Sequence, residues 1–168
     1  MTMPAVIFSH GQESGPWGTK IQAMACAVRN LGCRAESIDY QGIHDSAARV
    51  SKLIDEVGAI AEPLILVGSS MGGYVATAAA AELHAAGLFV LAPAYTMPGF
   101  EDLTPPKDMP VSIVHGWRDD VVPVENSIRF AQQCHAALHI LDGDHRLTEM
   151  IDEINYLLVR FVSKIVGD

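Results

Sequence analysis

Apolar and polar positions along this chain switch between two periods. Short β-rich runs alternate with longer segments whose apolar residues recur every three or four positions, and this alternation predicts a parallel sheet covered by helices on both faces. Pro4–Ser9 (PAVIFS) reads as the first strand, and Ile21, Met24, Ala25, Val28 and Leu31 then form the stripe of an amphipathic helix that stops at Gly32. Cys33–Tyr40 is the second strand candidate, followed by a helix carrying Val50, Leu53, Ile54 and Val57 before Pro63 opens the next strand. Leu64–Gly68 (LILVG) is the clearest central strand, because a run apolar on both faces is what burial between two helix layers requires. The alanine-rich Gly73–Ala86 after it is expected to be the most buried helix. Further strands are read at Leu88–Ala92, Val111–His115 and Leu138–Leu141, with helices over Val124–His135 and Leu147–Val166. The one long irregular segment, Pro93–Pro110, holds prolines 93, 98, 105, 106 and 110, and loops of that length in compact domains usually carry function.

At 168 residues the chain is expected to be one domain, residues 1–168. The AVILMFWYC residues reach 49% and the charged residues only 18%, so a sizeable core is available and disorder is excluded as the main state. A formal charge of −9 opposes binding to phosphate backbones and to anionic lipid, which argues against nucleic acid as a partner. Cys26, Cys33 and Cys134 have no CxxC spacing and fit neither a disulfide framework nor a zinc site, pointing to a reducing cytoplasm. Residues Met1–Ser9 lack the basic start of a secretory signal, and no apolar run approaches the ~20 residues of a membrane span. No His/Cys/Asp cluster has metal spacing, and neither a G-x-G-x-x-G nor a Walker pattern is present, so neither metal nor nucleotide cofactor is expected.

Gly68-Ser69-Ser70-Met71-Gly72 matches G-x-S-x-G and lies between the strongest strand and the alanine-rich helix. In a nucleophile elbow a sharp strand-to-helix turn exposes the serine, and both flanking positions must lack side chains, so Ser70 rather than Ser69 is the candidate nucleophile. A serine hydroxyl needs a base, and the base needs an orienting acid. The later strand ends supply His115-Gly116-Trp117-Arg118-Asp119-Asp120 and Asp142-Gly143-Asp144-His145, so four carboxylates compete for the role of the acid.

HGWRDDVVP at 115–123 resembles the H-G-x-x-D-x-x-V-P acid loop of α/β-hydrolases, and GDHRL at 143–147 resembles their histidine loop. The opening IFSHGQESGP resembles the oxyanion loop of the same superfamily. The likeness spans nearly the whole chain and is greatest to the small, cap-less bacterial α/β-hydrolase-like proteins. It implies a minimal α/β-hydrolase fold of six mainly parallel strands in the order 2-1-3-4-5-6, with no cap domain. It also implies a Ser-His-Asp triad of Ser70, Asp119 and His145, with the backbone N–H groups of Gln12 and Met71 as oxyanion donors. His10 and His115 are expected to organise their turns through hydrogen bonds, and His44, His84, His135 and His139 to be surface residues.

Trp17, Tyr95, Met97 and Trp117 fall near the ends of strands where such sheets bind ligands, and are the candidates for a substrate pocket. The leading expectation is a serine hydrolase acting on a small-molecule or surface-presented carboxylic ester or thioester through an acyl-enzyme. The rival is a binding or scaffolding protein that keeps the fold without turnover.

Overall fold

The computed structural model describes residues 2–104 and 106–167; Met1, Pro105 of the proline-rich segment, and Asp168 lie outside the described residues. Six strands form one sheet: β1 (Ala5–Ser9), β2 (Arg34–Ile38), β3 (Leu64–Ser69), β4 (Gly87–Leu91), β5 (Val111–Gly116) and β6 (Ala137–Leu141). Their spatial order is β2-β1-β3-β4-β5-β6 and every neighbouring pair is parallel, as the sequence leads one to expect. Helices α1 (Thr19–Asn30) and α5 (Ile151–Val166) cover one face, while α2 (Ser46–Val57), α3 (Met71–Ala80) and α4 (Val124–Cys134) cover the other.

The central strands are apolar on both sides because both sides meet a helix layer. Val6, Phe8, Ile65, Val67, Phe89 and Leu91 pack with α1 and α5, and the alternate residues Ala5, Ile7, Leu64, Leu66, Leu88 and Val90 pack with the opposite layer. The outer strands are different: β2 carries Arg34, paired with Glu36 and Glu62, and β6 is only half-buried. Charge on β2 discourages pairing with another chain at that edge. Among the described residues no helix is long and apolar enough to cross a membrane.

Helix ends depart from the sequence pattern for local reasons. The alanine-rich helix starts two residues before Gly73, directly on the turn at Ser70, and ends at Ala80 rather than Ala86. It unwinds because His84 takes a left-handed conformation (φ 49°) and the Ala85 N–H closes back on the Ala80 carbonyl at 3.0 Å. As expected it is the most enclosed helix, with every residue except Ala78 buried. The last helix begins at Ile151 after a short 3₁₀ turn, Thr148–Met150, since Leu147 is itself left-handed (φ 54°). Residues 93–104 and 106–110 connect β4 to β5 without a helix: Tyr95 stacks on Phe130 and Phe100 sits edge-on to Tyr74, so this segment folds down against α3 and α4.

The tightest approach in the fold lies where α3 begins. A Cβ on Gly72 would overlap the carbonyl oxygen of Ser9 at the end of β1, and one on Gly68 would overlap the Gly72 carbonyl. Both overlaps are with backbone, which has no rotamer to relieve them. Gly72→Val is therefore expected to destabilise the protein by about 1–3 kcal/mol through overpacking. Gly18→Ala, where nothing lies within 4 Å, should stay within about 0.5 kcal/mol of wild type. Urea unfolding midpoints compare the two.

Candidate active site

Since all strands run the same way, the loops that follow β1, β3, β5 and β6 gather at one end of the sheet, where parallel sheets present their ligands. Ser70 stands at the turn from β3 to α3 with φ 54° and ψ −120°, outside the regions L-residues favour. The strain is held from both sides. Its N–H donates to the Leu91 carbonyl at 2.9 Å, and its carbonyl accepts from the N–H groups of Gly73 (3.0 Å), Tyr74 (3.2 Å) and Ala94 (3.0 Å).

His145, part-buried, places Nε2 3.0 Å from Ser70 Oγ and Nδ1 2.8 Å from Asp119 Oδ2. An ionised carboxylate only accepts, so Nδ1 carries the hydrogen and Nε2 is left to receive the Ser70 hydroxyl. The Asp119 side chain is fully buried, and both of its oxygens are occupied. Oδ2 also faces His115 Nε2 at 3.0 Å, and Oδ1 accepts from the N–H groups of Val121 (2.9 Å) and Val122 (2.8 Å). Burial alone would raise its pKa, but the bonds from His115, His145 and the two amides outweigh burial and hold the carboxyl well below the usual range. The competing carboxylates are engaged elsewhere or exposed: Asp142 pairs with Arg118, Asp144 accepts from the Arg146 and Leu147 amides, and Asp120 faces solvent.

The 10–15 loop forms the facing wall. The Tyr40 N–H donates to His10 Nε2 at 2.8 Å, so His10 Nδ1 carries the hydrogen and donates to the Gly11 carbonyl at 2.8 Å. Burial lowers the His10 pKa, consistent with a neutral ring. The same carbonyl accepts from Arg49 Nη1 at 3.1 Å, while Arg49 also reaches the carbonyls of His10 (3.2 Å) and Ile43 (2.7 Å) and lies over the Tyr40 ring. Arg49 is only 1% exposed, and among the described residues it has no carboxylate partner. Because a trans peptide is rigid, fixing the Gly11 carbonyl fixes the Gln12 N–H on its other side. Among the described residues no acceptor takes that N–H. Met71 opens α3, so its N–H has no acceptor within the helix.

A cleft of about 570 Å³ runs beside Ser70, lined by residues 10–15, 18–21, 69–70, 145–146 and 148. Lys20 enters it from the first turn of α1 and donates to Ser69 Oγ at 3.3 Å and to the Arg146 carbonyl at 2.8 Å. Burial lowers its pKa to about 8, partly offset by Asp144.

Structure thus brings Ser70, Asp119, His145, Gln12 and Met71 to one place, whereas the four residues singled out as a pocket are not in the cleft. Trp17 is 40% exposed beneath Arg29, and Trp117 is 60% exposed. Tyr95 is buried, sharing a 2.7 Å hydrogen bond with Thr77, and Met97 packs against the core. Position near a strand end is not enough, because Tyr95 and Met97 fold down toward α4. Sequence reasoning passed over Arg49 and Lys20. Each left a signal: Arg49 is four residues before Leu53 on the buried side of α2, and Lys20 is four before buried Met24. His115 does organise its turn, receiving Ser127 Oγ at Nδ1, but its contact with Asp119 has no counterpart in the motif reading. His139 is half-buried rather than a surface residue, lying on the partly covered β6.

The model of the alpha/beta hydrolase family matches residues 6–149. The chain belongs to that family. This alpha/beta hydrolase is similar in structure to a protein from Xanthomonas campestris pv. campestris assigned to the alpha/beta superfamily hydrolases, at a TM-score of 0.89 and 28% identity over 95% of this chain and 98% of that one. A lidless serine hydrolase from Xanthomonas campestris shares the fold at a TM-score of 0.79 and 22% identity, covering 97% and 82% of the two chains. The mouse alpha/beta hydrolase domain-containing protein 10 does so at 0.79 and 21%, covering 96% and 89%. No curated protein sequence matches significantly.

Two outcomes follow from the buried charges. Arg49→Met strips three carbonyls of a charged donor and should lower the unfolding free energy of the hydrolase by about 3 kcal/mol, measured in urea, with Arg49→Lys recovering part of it. Asp119 has a depressed folded pKa, so its contribution to stability is present above the unfolded value of about 3.9 and is lost as pH falls below it. The stability gap between wild type and Asp119→Asn is accordingly expected to narrow between about pH 5 and pH 2, followed by denaturant titration at each pH.

Proposed function

We propose that this alpha/beta hydrolase is a serine hydrolase that cleaves a carboxylic ester or thioester, on a small molecule or a surface-presented acyl group, through an acyl-enzyme. The observation that carries the reading is the unbroken chain of hydrogen bonds from Ser70 through His145 to buried Asp119, at 3.0 and 2.8 Å, opening on a cleft. Ser70 Oγ attacks the carbonyl carbon while His145 Nε2 takes the hydroxyl proton, and Asp119 holds the imidazole tautomer and stabilises the imidazolium. The oxyanion of the tetrahedral intermediate accepts from the Gln12 and Met71 N–H groups, the first oriented by the His10 and Arg49 bonds to its peptide. Collapse breaks the C–O or C–S bond as His145 returns the proton to the leaving group. Water then repeats the sequence on the acyl-Ser70 and releases the carboxylic acid.

We read residues 1–168 as one domain without a cap. In support, no described residue of 93–110 lines the cleft. Three free cysteines fit a reducing, cytoplasmic setting.

A fluorophosphonate probe followed by peptide mass spectrometry is expected to label Ser70 and no other residue. With an activated ester, Asp119→Asn should lower kcat by about 10⁴, and Asp120→Asn should cost far less. A folded protein that takes up no probe and turns over no ester would leave a binding role on a hydrolase fold.

A further inference from the structure

Among the described residues Lys20 is the one ammonium in the wall of the catalytic cleft, and no carboxylate is paired with it. Its two bonds run to a hydroxyl and a backbone carbonyl, both neutral, and among the described residues no carboxylate lies within 4 Å of Nζ. Asp144, whose charge is felt at Lys20, has one carboxylate oxygen committed to the Arg146 and Leu147 amides. Exposed Arg146 also lines the cleft, as does Glu13 on the opposite loop. An ammonium has three donors. With two held by Ser69 and Arg146, the third is available to a group entering the cleft. A part-desolvated cation facing a substrate cleft gains most from an anionic partner, because charge-assisted hydrogen bonds strengthen as water is excluded.

The position of the cation also says which half of a substrate it meets. Lys20 is tied to the residue before Ser70 and, by the shorter bond, to the residue after His145, so it bridges the nucleophile turn and the histidine loop. His145 delivers its proton to the leaving oxygen, so the leaving group lies toward that loop. We propose that the cleft binds esters whose alcohol half carries an anionic oxygen group, a carboxylate or phosphate, held by Lys20 with exposed Arg146 assisting. This rests on the serine-hydrolase reading above and adds the substrate class. It also accounts for a cation kept inside a protein of net charge −9, whose overall field works against anionic ligands.

The test compares 4-nitrophenyl butyrate with 3-carboxy-4-nitrophenyl butyrate, each rate divided by its uncatalysed rate at the same pH. Wild-type kcat/KM should favour the carboxylated ester on the order of tenfold, and the preference should weaken as salt is raised. Lys20→Met should bring the ratio close to one, Lys20→Arg should keep most of it, and Arg146→Gln should reduce it partially. Labelling by the fluorophosphonate probe and circular dichroism identify variants that remain folded. Turnover of both esters by wild type without preference overturns the anionic subsite and leaves the serine-hydrolase reading standing. Loss of both esters alike in Lys20→Met, with the ratio unchanged, also overturns it and makes Lys20 a clamp between the two loops. No turnover and no probe uptake by wild type overturn both readings.

Discussion

The site depends first on one steric constraint, the contact between Gly72 at the start of α3 and the backbone leaving β1. With no side chain between them, the helix begins directly against the Ser9 and His10 carbonyls, and the chain leaves β3 through the strained conformation at Ser70. The 10–15 loop lies beside the same contact, where a Cβ on Gly11 would stand within van der Waals range of the Ser69 carbonyl and Ser70 Cβ. A second glycine approach, Gly116 against the Gly143 backbone, joins the loops that carry Asp119 and His145. Backbone packed on backbone therefore holds both halves of the site.

Strain and desolvation at this end of the molecule are offset by hydrogen bonding that is close to complete. Asp119 is buried yet accepts from His145 and two amides with His115 Nε2 close by, Arg49 is buried yet reaches three carbonyls, and His10 and His115 each bond through both ring nitrogens. Buried polar groups satisfied in this way are costly to disturb, since removing any partner leaves another unpaired in a low-dielectric setting. Rigidity follows, and a preorganised site is what acyl transfer at a serine requires. Lys20 is the exception: its ammonium has two bonds and lines the cleft beside Ser70.

Most of the scaffold was legible because its signals are local. LILVG reads as a central strand from five residues, and G-S-S-M-G reads as an elbow because the turn itself demands small residues on both sides of Ser70. The ends of α3 and α5 were not legible, since single left-handed residues, His84 and Leu147, break helices whose composition would continue. Tyr95 and Met97 lie away from the cleft for a related reason: nothing in their order along the chain says that their segment folds toward α4 instead of over Ser70.

The sequence by itself determined the alternation of strands and helices, the parallel sheet, and the serine on its turn, because each is written in the spacing of a few neighbouring residues. Only tertiary structure decided that the Asp119 carboxylate is buried between His145 and His115, which cation lies beneath the 10–15 loop, and which enters the cleft. Those outcomes depend on contacts between residues up to 126 positions apart. Such contacts are chosen by how whole helices and loops pack, and desolvation, not spacing, then sets the charge each group carries.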